Sequence, residues 1–70
     1  MDRRYDLALW RVRVRAEYLE MPGLQLTSPQ MWRLWSLDRP TCDAVIKTLV
    51  DEGFLVANTR GAYVLAHTMP

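Results

Sequence analysis

Arg39, Thr41, Lys47 and Arg60 are the side chains whose chemistry this sequence could put to use. Guanidinium and ammonium groups hold phosphate oxygens. An arginine can also donate twice to a guanine edge, and a threonine hydroxyl can donate or accept at a base. That chemistry is recognition rather than bond breaking. The chain has no Gly-rich phosphate loop, no metal-ligand cluster and no nucleophile–base pair, so no enzyme, cofactor or metal is expected. Cys42 lies on an apolar stripe with no histidine or second cysteine near it, which reads as a small buried hydrophobe. His67 stands alone.

Positioning these groups needs a particular order of elements. Residues 5–20 contain no glycine or proline. Trp10 to Arg15 alternate like a strand, but Leu7, Trp10, Val14 and Tyr18 recur at helical spacing, and a helix is expected. Arg13 and Glu17 are four apart, an ion pair in the less favoured order. Met21-Pro22-Gly23 ends the helix, and Leu24-Gln25-Leu26 is a stub of strand. Thr27-Ser28-Pro29-Gln30 fits a capping box with proline in the first turn, opening a short helix over 28–35. Its inward stripe is expected to be Met31, Leu34 and Trp35, with Trp32 beside it. Ser36-Leu37-Asp38 breaks that helix, and Asp38 caps the next. There Cys42, Val45, Ile46, Leu49 and Val50 give the clearest periodicity in the chain, up to a stop at Gly53. Apolar runs at 54–57 and 62–66 flank Asn58-Thr59-Arg60-Gly61, a hairpin signal. The expected core is Leu34, Leu37, Val45, Ile46, Leu49 and Leu55.

Helix, tight turn, helix and hairpin make a mainly α chain with a little β. It is the plan of a winged helix-turn-helix, with three helices and a C-terminal two-stranded wing. Residues 1–70 read as one such domain, with a short tail over 66–70. In this plan the side chains near the start of the third helix read base edges, while wing and flanking groups hold phosphate. That assigns Arg39, Thr41, Lys47 and Arg60 to duplex DNA. The backbone N–H groups around Ser28 could hold a phosphate too. Against this stands a plainer reading of Asp43, Lys47 and Asp51 as a solvated helix face with modest ion pairs. Asp43 would repel phosphate, although a carboxylate can accept from cytosine. Trp32 could anchor an interface, or could simply fold over the edge of a small core.

Bulk properties temper the DNA reading. Net charge is only +1, and five of the nine basic residues lie in the first segment: Arg3, Arg4, Arg11, Arg13 and Arg15. Residues 39–53 are net acidic by one. Strong nonspecific binders of nucleic acid usually carry a clear basic excess. No apolar run approaches the roughly 20 residues of a membrane span, and the N-terminus is not a signal peptide, so a cytoplasmic protein is expected.

A more specific resemblance covers nearly the whole chain from Val14 to Val64. It is carried by Val14-Arg15-Ala16-Glu17-Tyr18-Leu19-Glu20-Met21-Pro22-Gly23-Leu24, then Leu26-Thr27, Leu34-Trp35, Leu37-Asp38, Cys42 and Leu49-Val50-Asp51-Glu52-Gly53-Phe54-Leu55. These resemble a group of small bacterial winged helix-turn-helix proteins, mostly described as hypothetical proteins or transcriptional regulators. The resemblance implies the fold and a role in transcription regulation. Two departures bear on that role. Val56 and Ala57 stand where the group often has arginines, and Met31 and Trp32 where it often has small residues. The expected function is therefore a DNA-binding transcriptional regulator or accessory factor. The alternative is a protein–protein interaction module on the same fold. A weak homodimer through the first helix, with Trp32 as a second anchor, is expected as well.

Overall fold

The computed structural model describes residues 3–66, and for residues 3–6 the backbone alone. The expected tail beyond Ala66 lies outside the described residues. Where strand alternation and helical spacing compete, the helix wins. Helix α1 runs Arg3–Glu20. Val14 and Tyr18 are buried in the core, and Leu7 and Trp10 pack against it. Four apolar side chains on one helical face can pack on the core together, as these do.

Helices α2, Ser28–Trp35, and α3, Arg39–Asp51, begin in the same way. Thr27 caps α2 by a full capping box: the Gln30 N–H donates to the Thr27 hydroxyl, and the Thr27 N–H to Gln30 Oε1 at 2.8 Å. Asp38 caps α3, accepting from the Thr41 N–H at 3.1 Å. Each has proline in its first turn, where no N–H is required. The turn between them is tight. Ser36 adopts left-handed φ of 52°, and the Leu37 N–H returns to the Trp32 carbonyl at 3.1 Å. Helix α3 ends on Gly53, φ 78°. The Gly53 N–H donates to Val50 O and the Phe54 N–H to Leu49 O, a Schellman closure that turns the chain into the hairpin.

Strands β1, Leu55–Ala57, and β2, Tyr63–Leu65, pair antiparallel with Val56 opposite Val64. Leu26 bridges to Tyr63 on the outer side of β2, as the short alternating stub suggests. The Asn58 carboxamide builds the turn, accepting from the Arg60 and Ala62 N–H groups at 2.9 and 3.0 Å. Ala66 is not loose tail. Its N–H donates to Phe54 O at 2.9 Å and extends the closure of the hairpin by one bond.

The core is Val14, Tyr18, Met31, Cys42, Val45, Ile46, Leu49 and Leu55. Val45, Ile46, Leu49 and Leu55 are buried as expected, and Leu37 is half-buried. Leu34 is a correction: it is 58% exposed. Met31, Trp32 and Trp35 fall within about 100° of one another around α2, and Leu34 lies well to one side of that arc. Met31 of the expected inward stripe is buried, and Leu34 is not. Arg13 also departs from expectation. Its guanidinium lies over the Trp10 ring at 5.6 Å rather than on Glu17.

Tyr18 joins the helical layer to the hairpin. Its hydroxyl donates to the Tyr63 carbonyl at 2.7 Å, and its ring meets Phe54 edge-on. Burial pushes its phenol from the ordinary 10.0 up to about 12. Burial, with help from Asp43 and Asp38, pushes the Cys42 thiol from 9.0 up to about 11.

Leu49→Ala should cost about 2–5 kcal/mol in urea unfolding, a large part of the stability of a domain this size. An unchanged midpoint would contradict the core described here. Both Tyr18 and Cys42 hold their protons more tightly when folded. Stability should therefore be level to about pH 9 and fall as pH rises through the 9–12 window. Tyr18→Phe should lower stability at neutral pH by about 0.5–1.5 kcal/mol and blunt the upper part of that fall. Calorimetry across the alkaline range checks both.

Candidate nucleic-acid interface

The six candidate residues sit on three elements. Arg39, Thr41 and Lys47 are on α3, Ser28 and Trp32 on α2, and Arg60 in the hairpin turn. The cap chemistry that builds each helix start also decides what is left to offer there. The first-turn positions of α2 are Ser28, Pro29 and Gln30. Proline has no N–H, and the Gln30 N–H is taken by Thr27. Ser28 keeps the one backbone donor of that turn without an intramolecular partner among the described residues.

At α3 the same arrangement has an acidic cap. The Asp38 carboxylate takes both the Thr41 N–H and, at 3.0 Å, the Thr41 hydroxyl. Thr41 is thus engaged in local structure, and an anion arriving at this helix start meets Asp38 first. Arg39 points elsewhere. Its guanidinium lies 4.6 Å from the centre of the Trp32 ring. This stack joins α2 to α3 across the turn and holds an exposed cation at a fixed place. Trp32 itself is half-buried, and its indole Nε1 is buried with no hydrogen-bond partner. The ring therefore has a structural duty on one side and carries Arg39 on the other.

Further along α3, Lys47 forms an exposed ion pair with Asp51 at 3.1 Å. Asp43 is exposed one turn before it. The outward surface of α3 alternates in sign, as the four-residue spacing of these groups implies. Arg60 is different again. Its backbone N–H shapes the turn through Asn58, and its side chain is exposed at the hairpin tip. The structure thus brings Arg39 and Trp32 together, ties Thr41 to Asp38 and Lys47 to Asp51, and leaves Arg60 at the tip of a separate element.

One cluster was not legible in the sequence. Arg11 and Arg15, one turn apart on α1, both pair with Glu52 at the end of α3. The Arg15 guanidinium also lies 4.6 Å from the Phe54 ring centre. The shared face of the two arginines follows from their spacing. Their acceptor, some forty residues on, does not. The clip draws two cations into holding α1 on α3.

No described helix is long and apolar enough to cross a membrane. Comparison with protein-family models, curated proteins and solved structures finds no match for this chain.

Cys42 lies against this region but is 1% exposed, and its raised pKa keeps the thiol protonated at neutral pH. It should react with a thiol reagent only as fast as the protein opens. Labelling at pH 7 should be slower than for a free thiol by orders of magnitude and should accelerate steeply with urea. Rapid labelling of the native protein would contradict its placement.

Proposed function

We propose that this protein is a winged helix-turn-helix domain that binds duplex DNA, as a transcriptional regulator or accessory factor. The observation that carries the reading is the placement of Arg39. It is exposed in the first turn of α3, directly after the tight turn, and stacked on Trp32 so that its fork is ordered before any ligand arrives. In a helix-turn-helix that position approaches the major groove. Arg60, exposed at the hairpin tip, suits a wing contact to phosphate. Lys47 can reach a phosphate after giving up Asp51, an exchange that costs little for so exposed a pair. Ser28 adds one backbone donor.

A different reading is favoured by the alternating charge of Asp43, Lys47 and Asp51 on α3. A face of mixed sign suits a protein partner better than a polyanion.

Titration of fluorescent random duplex with the protein at several salt concentrations separates the two. DNA binding should show a shallow slope of log K against log salt, roughly −2 to −4 for about two to four phosphate contacts. Arg60→Ala should weaken all sequences about equally, whereas Arg39→Ala should change sequence preference. Absence of binding even at about 50 mM salt, where phosphate contacts are strongest, would overturn the DNA reading in favour of a protein partner.

A further inference from the structure

Helix α1 is apolar on two opposite faces. One face, with Val14 and Tyr18, is in the core. The other carries Leu9, Val12 and Leu19, which are 52%, 60% and 59% exposed, with exposed Ala16 between them. The intervals 9, 12, 16, 19 are three, four and three residues, a coiled-coil seam, and Tyr5 continues the same spacing in the sequence. The seam centre lies about 170° around the helix from the buried face. Arg13 does not cover it, because its guanidinium is turned away over Trp10.

We propose that this seam takes a second copy of the same chain, with the two α1 helices side by side and parallel. Charge decides both the occupant and the direction. With Leu9 and Ala16 at a and Val12 and Leu19 at d, the flanking positions are Ala8 and Arg15 at g and Arg13 and Glu20 at e. In a parallel pair each g residue faces the e residue five further along on the other helix. Arg15 then meets Glu20 of the second copy, twice by symmetry, while Arg13 faces an alanine. An antiparallel pair matching the same apolar residues would set Arg13 against Arg13 and Arg15 against Arg15. Arg15 can serve both neighbours. Its Nη1 is 3.4 Å from Glu52, its side chain is 41% exposed, and a guanidinium has five donors. Like residues meet across a two-fold axis, so the patch closes on itself and stops at two copies. Association is also one way a chain of this size adds buried apolar area.

The test is sedimentation equilibrium of the full chain without nucleic acid, so its outcome is separate from that of DNA binding. A reversible dimer is expected, with Kd on the order of 10–100 µM for a patch near the low end of specific interfaces. Val12→Glu, at an exposed position that leaves the circular dichroism and thermal midpoint in place, should weaken it more than about 50-fold. Glu20→Arg should also weaken it, less so at high salt. Leu19→Cys should oxidise to a covalent dimer faster than Arg60→Cys, since parallel helices bring residue 19 onto itself and antiparallel ones would hold the pair about 15 Å apart. Cys42 is buried and stays out of the reaction. A monomer up to about 500 µM, far above the range such a patch should give, overturns the proposal. A dimer indifferent to Val12→Glu, or no preferential cross-linking at residue 19, overturns it equally.

Discussion

The Tyr63 carbonyl receives both the Tyr18 hydroxyl and the Leu26 N–H. Three stretches of chain converge on that oxygen: the buried side of α1, the stub before α2, and the second strand of the hairpin. A hairpin of two three-residue strands is marginal alone in water. Here it is held from one side by Tyr18 and from the other by the paired Leu26–Tyr63 bonds, with Leu55 sunk in the core beneath it. The place of the hairpin relative to α3, and so the place of Arg60, depends on this junction. The Schellman turn at Gly53 aims the chain toward it, and the Tyr18 contact fixes where it arrives.

Charge is distributed by a second constraint. Five of the chain's nine cations lie in its first segment, and the structure engages several cations along the chain internally. Arg11 and Arg15 clip α1 to Glu52, Lys47 is paired with Asp51, and Arg39 is laid on Trp32. These engagements are not equivalent. An ion pair lowers the charge that a ligand would feel, whereas a stack on an aromatic ring keeps the charge and orders its direction. A ligand at this face would meet Arg39 as it stands, whereas Lys47 would first have to leave Asp51. Asp38 works the other way. As a cap it is a good choice for α3, and as a neighbour to a phosphate it is a poor one. Helix stability and anion binding compete at that helix start.

Helix α1 shows how one element can serve two packing problems. Its buried face is narrow, built from Val14 and Tyr18 with Leu7 and Trp10 at the margin. The arginines that break the apolar run fall on the flanks, and two of them reach back to Glu52. What remains outward includes the exposed Leu9, Val12, Ala16 and Leu19, spaced three and four residues apart.

Much of the local structure was legible in the residues. The twin Pro-containing helix starts, the glycine stop of α3, the Asn58–Gly61 turn and the apolar stripe of α3 depend on contacts within a few positions, and their chemistry is local. The buried spacing of α1, Leu7, Trp10, Val14 and Tyr18, was written there too, whereas the outward one emerged only once the structure showed which side chains stay exposed. Tertiary structure alone decided the rest. Whether Leu34 joined Met31 in the core depended on how an eight-residue helix met α3. Glu52 became the acceptor for Arg11 and Arg15, Tyr63 the acceptor for Tyr18, and Trp32 the platform for Arg39. Each of these pairings needs a relative placement of elements that no spacing encodes, because it is set by how the whole core closes around Leu49.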